Sequence, residues 1–250
     1  MSKNKLKLND EKTEALLFHT KSSFTTSQKP ASILVGQSDI DFSPSARNLG
    51  YMITDDMSLD THITHICRTA YISIRQISSI RKFLTIQATK TLVCAFVLSR
   101  LDYCNALLSG CPQHLIDKLQ KVQNAAARLI LQARKREHIT PLLHSLHWLP
   151  IQARIDYKLS VLCYNFFSGS SPHYLSSTLT VYTPRRTLRS SSDTLTLDVP
   201  RVRSAKFGER SFSYCASKTW NSLPLQIRSI QTLTAFKKAL KTHLFRKYLE

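Results

Sequence analysis

Glycine is scarce in this chain, five residues of 250. Loops that cradle phosphate and elbows that present a catalytic serine both draw on clustered glycines. Neither a Gly-rich loop nor a Gly-x-Ser-x-Gly motif occurs, so phosphate-loop enzymes and serine hydrolases drop out as readings. Cysteines paired at Cys-x-x-Cys spacing are missing too, although Cys67, Cys94, Cys104, Cys111, Cys163 and Cys215 are present. A strong zinc signature needs such pairs. His62, His65 and Cys67, and again His144 with His147, show only the spacing of one helix face, which packing or surface positions explain. No metal, cofactor or small-molecule substrate is therefore expected. Long apolar runs are also lacking. The best, Thr91 to Leu98, is closed by Arg100 and Asp102 and falls far short of the roughly 20 residues that span a bilayer, so no membrane partner is expected. The basic start Met1-Ser2-Lys3-Asn4-Lys5 is not followed by the apolar segment of a secretory signal. The expectation is an intracellular protein of nucleus or cytoplasm, not secreted, with its cysteines as free thiols.

Acidic residues are the remaining shortage, 16 against 35 Lys and Arg, for a formal net charge of +19. The surplus is uneven. Residues 1 to 60 hold 7 basic and 8 acidic side chains (−1), 61 to 180 hold 14 and 4 (+10), and 181 to 250 again 14 and 4 (+10). Such a surplus draws polyanions through phosphate neutralisation and counterion release, with an affinity that falls as salt rises. RNA or DNA is the first partner to consider. A ribosomal-type or merely soluble basic surface is the bland alternative.

What is plentiful is apolar residue at helical spacing. A hydrophobic content of 42% can bury the core of one large domain or two smaller ones. In the first 60 residues, strands are predicted at Ala15 to His19, Ile33 to Gly36 and Asn48 to Thr54, with a Ser/Thr-rich loop at Lys21 to Ser27. From Asp60 the period lengthens. Ile63, Ile66, Ala70, Ile74, Ile77 and Ile80 mark one face of a helix over about 60 to 82. Ile86 to Ser109, apolar at Leu92, Val93, Phe96, Val97 and Leu101, predicts a second helix ended by Gly110-Cys111-Pro112. Leu115, Leu119, Val122, Ala126, Leu129 and Ile130 predict a third. The segment Ile139 to Pro150 is broken by prolines, and a fourth helix follows over Ile151 to Phe167. Beyond it only short elements fit: a strand at Thr194 to Val199, a helix within Gly208 to Trp220, and a final helix over Thr232 to Tyr248 with Leu233, Phe236, Leu240, Leu244 and Phe245 on one face. No internal repeat is visible.

Several short segments, taken in order, resemble one known family. Leu6-Lys7-Leu8-Asn9-Asp10-Glu11-Lys12-Thr13-Glu14 resembles the helix-to-strand segment that follows the catalytic Asp-Asp turn in the palm of LINE-type (non-LTR) retrotransposon reverse transcriptases. Asn48-Leu49-Gly50-Tyr51 is similar to that family's primer-grip hairpin, and Asp60-Thr61-His62-Ile63 to the start of its thumb. Ser99-Arg100-Leu101-Asp102-Tyr103-Cys104-Asn105, Leu119-Gln120-Lys121-Val122-Gln123-Asn124-Ala125-Ala126-Ala127-Arg128-Leu129, Leu146-His147-Trp148-Leu149-Pro150 and Trp220-Asn221-Ser222-Leu223-Pro224 are similar to blocks behind the thumb.

The resemblance implies a mainly α fold: a palm remnant of α/β type with a primer-grip-like hairpin (1–59), a thumb-like helical bundle (60–136) and a basic C-terminal extension, helical with short strands (137–250). It implies template-primer or element RNA as partner. Arg68, Arg75, Lys118, Lys121 and Arg128 are the thumb candidates for phosphate contact, and Arg185, Arg186, Arg189, Arg201 and Arg203 the candidates in the extension. Tyr182, Phe207, Phe212, Tyr214 and Trp220 have the chemistry to stack on bases beside those arginines, with core packing the favoured reading for Phe212 and Trp220. In the family, the carboxylates that hold two metal ions lie upstream of the first matching segment. Asp55-Asp56 falls after the grip, where a structural acidic turn is expected. The chain alone is thus expected to bind nucleic acid without polymerising it, as a truncated or degenerate copy. An intact polyprotein supplying catalysis from upstream, and a host interaction protein built on a captured helical scaffold, remain alternatives.

Overall fold

A computed structural model describes residues 9, 12–18, 30–36, 38–184, 195–204 and 207–250. Helix makes up 58% and strand 9%, so the chain is mainly α, as the periodicities predict. It divides into two compact units, residues 1–65 and 66–250.

The first unit holds two antiparallel two-stranded sheets. β1 (Ser32–Val35) pairs with β2 (Ser38–Asp41), and β3 (Ser45–Asn48) with β4 (Tyr51–Thr54). At Ala15, where a strand is predicted, the described residues make one parallel bridge to Phe42. The strand predicted over Asn48 to Thr54 is interrupted, because Leu49 and Gly50 turn the chain with φ of 47° and 86°. Positive φ at both central residues is the two-residue hairpin loop whose twist suits the flanking strands. Gly50 adopts it freely, and Leu49 does so at a steric cost.

α1 (Asp60–Ile80) starts in the first unit and continues into the second. Its buried positions Ile63, Ile66, Ala70, Ser73 and Ile77 recur every three or four residues. Ile80, assigned to that stripe in the sequence, is 45% exposed, and Ser73 stands inside, as a 3.6-residue period requires over five turns.

In the second unit, α2 (Ile86–Val93), a π turn (Cys94–Leu98) and α3 (Ser99–Asp102) run on continuously, started by Thr85 Oγ1 accepting from the Ala88 amide at 3.1 Å. This helix stops seven residues short of the predicted Ser109, because Cys104 takes a left-handed φ of 54° and Asn105–Leu108 form a 3-10 turn. α4 (Gln113–Leu131) restarts after Pro112. α5 (Ile139–Leu146) forms where prolines suggested breakage. Pro141 sits in its first turn, where a missing N–H costs no intrahelical bond. α6 (Ile151–Phe167) matches its predicted bounds, and α7 (His173–Ser176), α8 (Phe212–Asn221), α9 (Leu225–Arg228) and α10 (Leu233–Leu249) follow.

α6 is the hub, packed on α4, α8 and α10. Tyr164 stacks on Phe236 at 4.5 Å and Phe167 on Trp220 at 5.2 Å. Since α4 packs on both α5 and α6, the boundary expected at 136/137 falls inside one unit. The strand expected over Thr194 to Val199 is reduced, within the described residues, to a bridge between Val181 and Leu197. The Asn221 side chain stands in for a further strand: its Oδ1 accepts from the Leu197 amide at 2.9 Å and its Nδ2 donates to the Leu197 carbonyl at 2.7 Å.

Candidate nucleic-acid interface

The inward stripe of α1 fixes where its cations lie. Arg68 and Arg75 are exposed, on the side away from Ile66, Ala70 and Ile77. Seven residues apart, they stand about 10.5 Å from one another along one helix face. Lys82, in the 3-10 turn Arg81–Phe83, continues the same seven-residue step, exposed with its ammonium 4.8 Å from the Phe83 ring. That spacing is visible in the sequence, although Lys82 is not among the candidates drawn from it. On α4 the buried residues Leu115, Leu119, Val122 and Ala126 leave Lys118 and Lys121 exposed. Lys118 lies near enough to α1 that its charge favours the Cys67 thiolate, although burial outweighs it and pushes that thiol up.

The four carboxylates of residues 61–180 engage other groups. Asp102 pairs with Arg154 at 2.7 Å, Asp117 accepts from Gln113, Glu137 accepts from the Arg134 amide, and Asp156 accepts from Tyr248 at 2.6 Å. Among the described residues no ion pair holds Arg68, Arg75 or Lys121.

Other candidates stand differently. Arg128 is half-buried, and its Nη2 donates to the Glu137 carbonyl at 3.1 Å, tying down the turn that follows α4. Arg201 and Arg203 are exposed, whereas Arg185, Arg186 and Arg189 lie outside the described residues. Trp220 is fully buried, with its indole N–H donated to the Leu195 carbonyl at 2.6 Å. That agrees with core packing, the favoured reading of this residue, over base stacking. Tyr182 is 45% exposed, and Phe207, Phe212 and Tyr214 are half-buried. Arg81, which the sequence places merely off the apolar stripe, is 9% exposed, and its guanidinium donates to the carbonyls of Leu129, Ile130 and Leu84 at 3.1, 2.9 and 2.8 Å. It satisfies carbonyls that the end of α4 leaves without intrahelical partners.

In the first unit, the grip-like segment Asn48-Leu49-Gly50-Tyr51 forms the tip of the β3–β4 hairpin. Leu49 is 86% exposed at the tip, and the Tyr51 ring lies 3.9 Å from that of His62. His62 is buried, and its Nδ1 accepts from the Met52 amide at 3.3 Å. Desolvation, aided by the charge of His65, lowers its pKa from 6.5 to about 4, so the ring is neutral at physiological pH. Asp56 closes the turn before α1, with its Oδ1 2.8 Å from both Thr54 Oγ1 and the Ser58 amide. Among the described residues no three His, Cys, Asp or Glu side chains are grouped to hold a metal ion, and no helix is long and apolar enough to cross a membrane.

Comparison with protein-family models, with curated proteins and with solved structures finds no match to the chain.

Proposed function

We propose that the chain binds nucleic acid through the outer faces of α1 and α4, as the thumb and C-terminal region of a LINE-type reverse transcriptase, and that these 250 residues alone do not polymerise. The observation that carries the reading is the joint exposure of Arg68, Arg75, Lys118 and Lys121 in a stretch with ten surplus positive charges. The ordered run of family-like segments, from the hairpin tip at Asn48 to Trp220, supports the assignment. Regularly spaced cations on a helix meet phosphates without reading bases, so binding is weakly sequence-selective.

The test is the slope of log affinity against log salt for a duplex. Substituting Arg68, Arg75, Lys118 and Lys121 together with Ala should flatten it by about 3 if all four meet phosphate. Substituting Arg185, Arg186 and Arg189 likewise should flatten it by about 2. An unchanged slope in both variants would reject the proposal. Primer extension on an RNA template with Mg²⁺ is expected to give no product. A second reading, an interaction scaffold, draws on Phe83 (77% exposed), Ile86 (58%) and Ile80 (45%) at the α1–α2 junction. It predicts salt-insensitive protein capture that is lost in Phe83→Ser.

A further inference from the structure

A cavity of about 390 Å³ opens in the second unit where four parts of the chain meet. The 3-10 turn after α3 contributes Asn105, the α5–α6 junction His147 and Leu149, α6 contributes Arg154, Tyr157 and Lys158, and α10 contributes Lys241. Its size falls in the lower part of the range of roughly 300–1,000 Å³ that holds small organic ligands.

Two features of the lining are unusual. One is charge. Among the described residues Asp102 is the sole carboxylate there, and it is matched by Arg154 at 2.7 Å. Lys158 and Lys241 are both exposed and have no acidic partner among the described residues, and the Lys241 ammonium stands 5.8 Å from the Phe245 ring. Three Lys and Arg cations against one carboxylate leave a surplus of two positive charges on the lining. That matches a phosphate monoester, which carries roughly −1.5 to −2 near pH 7. The other is Asn105. It is only 6% exposed, its Oδ1 is buried without a partner, and its side chain makes no hydrogen bond to any described residue. That oxygen is closed off from solvent, so what the cavity can meet is the other end of the amide. Turning the amide over exchanges O and N in place, so the end that meets the cavity either donates or accepts. An amide of that kind pairs with the edge of a nucleobase. Leu149 and the rings of Tyr157 and His147 give the same cavity an apolar lining for a flat ring.

We propose that this cavity binds one nucleotide, with its phosphate at Lys158 and Lys241 and its base edge at Asn105. The shared chemistry is a nucleoside monophosphate, either free or as an unpaired unit of a strand. The site is separate from the α1 and α4 residues of the interface above, and neither proposal requires the other.

The test is calorimetric titration of the full chain with the four 5′-monophosphates, with adenosine, with inorganic phosphate, and with a short single strand against the same strand carrying an abasic unit. Either a monophosphate that binds at least tenfold more tightly than both adenosine and phosphate, or an intact strand preferred over its abasic form, supports the site. The first result assigns a free ligand and the second a strand. Lys158→Ala and Lys241→Ala, both surface changes, should each weaken that binding on the order of tenfold. Asn105→Ala should level the preference among bases, with a thermal melt showing that the fold persists. If Asn105→Ala does not fold, the lysine variants decide alone. Phosphate binding as well as the nucleotides, binding unaffected in the double lysine variant, or no binding in either arm overturns the proposal. Salt-dependent duplex binding through Arg68 and Arg75 would survive any of these results, so the two readings fail separately.

Discussion

Arg75 and Arg81 sit six residues apart, yet the structure gives them opposite duties, and exchanging each for Met should separate the two. Arg81 is 9% exposed and makes three charge-assisted bonds to carbonyl oxygens at 2.8 to 3.1 Å. A hydrogen bond to a charged group is worth about 1.5–3 kcal/mol, and the desolvation of the buried guanidinium offsets part of the three, so Arg81→Met, which restores none of them while keeping the aliphatic stem packed, should cost about 3 kcal/mol. For a unit of 185 residues (66–250), that is a fall in Tm of about 6–12 °C by differential scanning calorimetry. Its charge faces backbone, so the salt dependence of nucleic-acid binding should hold. Arg75→Met touches an exposed side chain with no protein partner among the described residues, so its stability cost should stay under about 0.5 kcal/mol. It should instead flatten the salt slope by about 0.7–0.9. The reasoning is refuted if Arg81→Met melts like the unmodified chain while losing a unit of slope, for then the buried guanidinium is a ligand for phosphate and not a cap for α4.

Two further outcomes are expected. Trp220→Phe should keep the stack on Phe167 and remove one of the donors to the Leu195 carbonyl, which still accepts from the Arg228 guanidinium at 3.0 Å, costing about 0.5–1.5 kcal/mol in urea melts while leaving affinity for single strands unchanged; a selective loss of strand binding would restore the base-stacking role. His62 binds its proton less readily when folded than when unfolded, so its contribution is complete above about pH 6.5 and is lost as pH falls toward about 4, a change of about 3 kcal/mol. Urea melts across that window should show the slope, and His62→Gln, which cannot titrate, should remove it; persistence of the slope in that variant points to another group.

Helices are legible from sequence where one face is apolar over several turns, as in α1, α4 and α6, because period alone identifies them. Their ends are less so. The stop at Asp102 depends on Cys104 adopting a left-handed conformation, which no glycine announces. α5 escapes a reading in which every proline breaks a helix, since Pro141 stands in a first turn. The site is legible in part. Arg68 and Arg75 follow from the wheel of α1, and so does their exposure. Arg81 is one more basic residue on that wheel, and its burial is decided by the end of a helix some fifty residues away, which spacing cannot reveal. The cavity is not legible at all. Asn105, Lys158 and Lys241 come together only once α10 has folded back onto α6.

The segments that carry the family resemblance are largely those that hold this junction together. Gln120 accepts from the Ile151 amide at 2.9 Å and so caps the start of α6, while its own amide nitrogen reaches Gln123 and Asn124. Gln123, fully buried, donates to the Leu149 carbonyl at 2.9 Å, and Arg154 donates to that same oxygen at 2.8 Å before pairing with Asp102. One network thus ties the blocks at Ser99, Leu119 and Leu146 to one another. A buried polar network specifies a single arrangement when every member is satisfied, because any shift leaves a costly unpaired group behind. Asn105, at the end of the first of those blocks, stands outside the network, with its Oδ1 buried and unpartnered among the described residues. The network fixes the wall on which Asn105, Lys158 and Lys241 meet, which is why the nucleotide site is sought there and the phosphate contacts on the outer faces of α1 and α4.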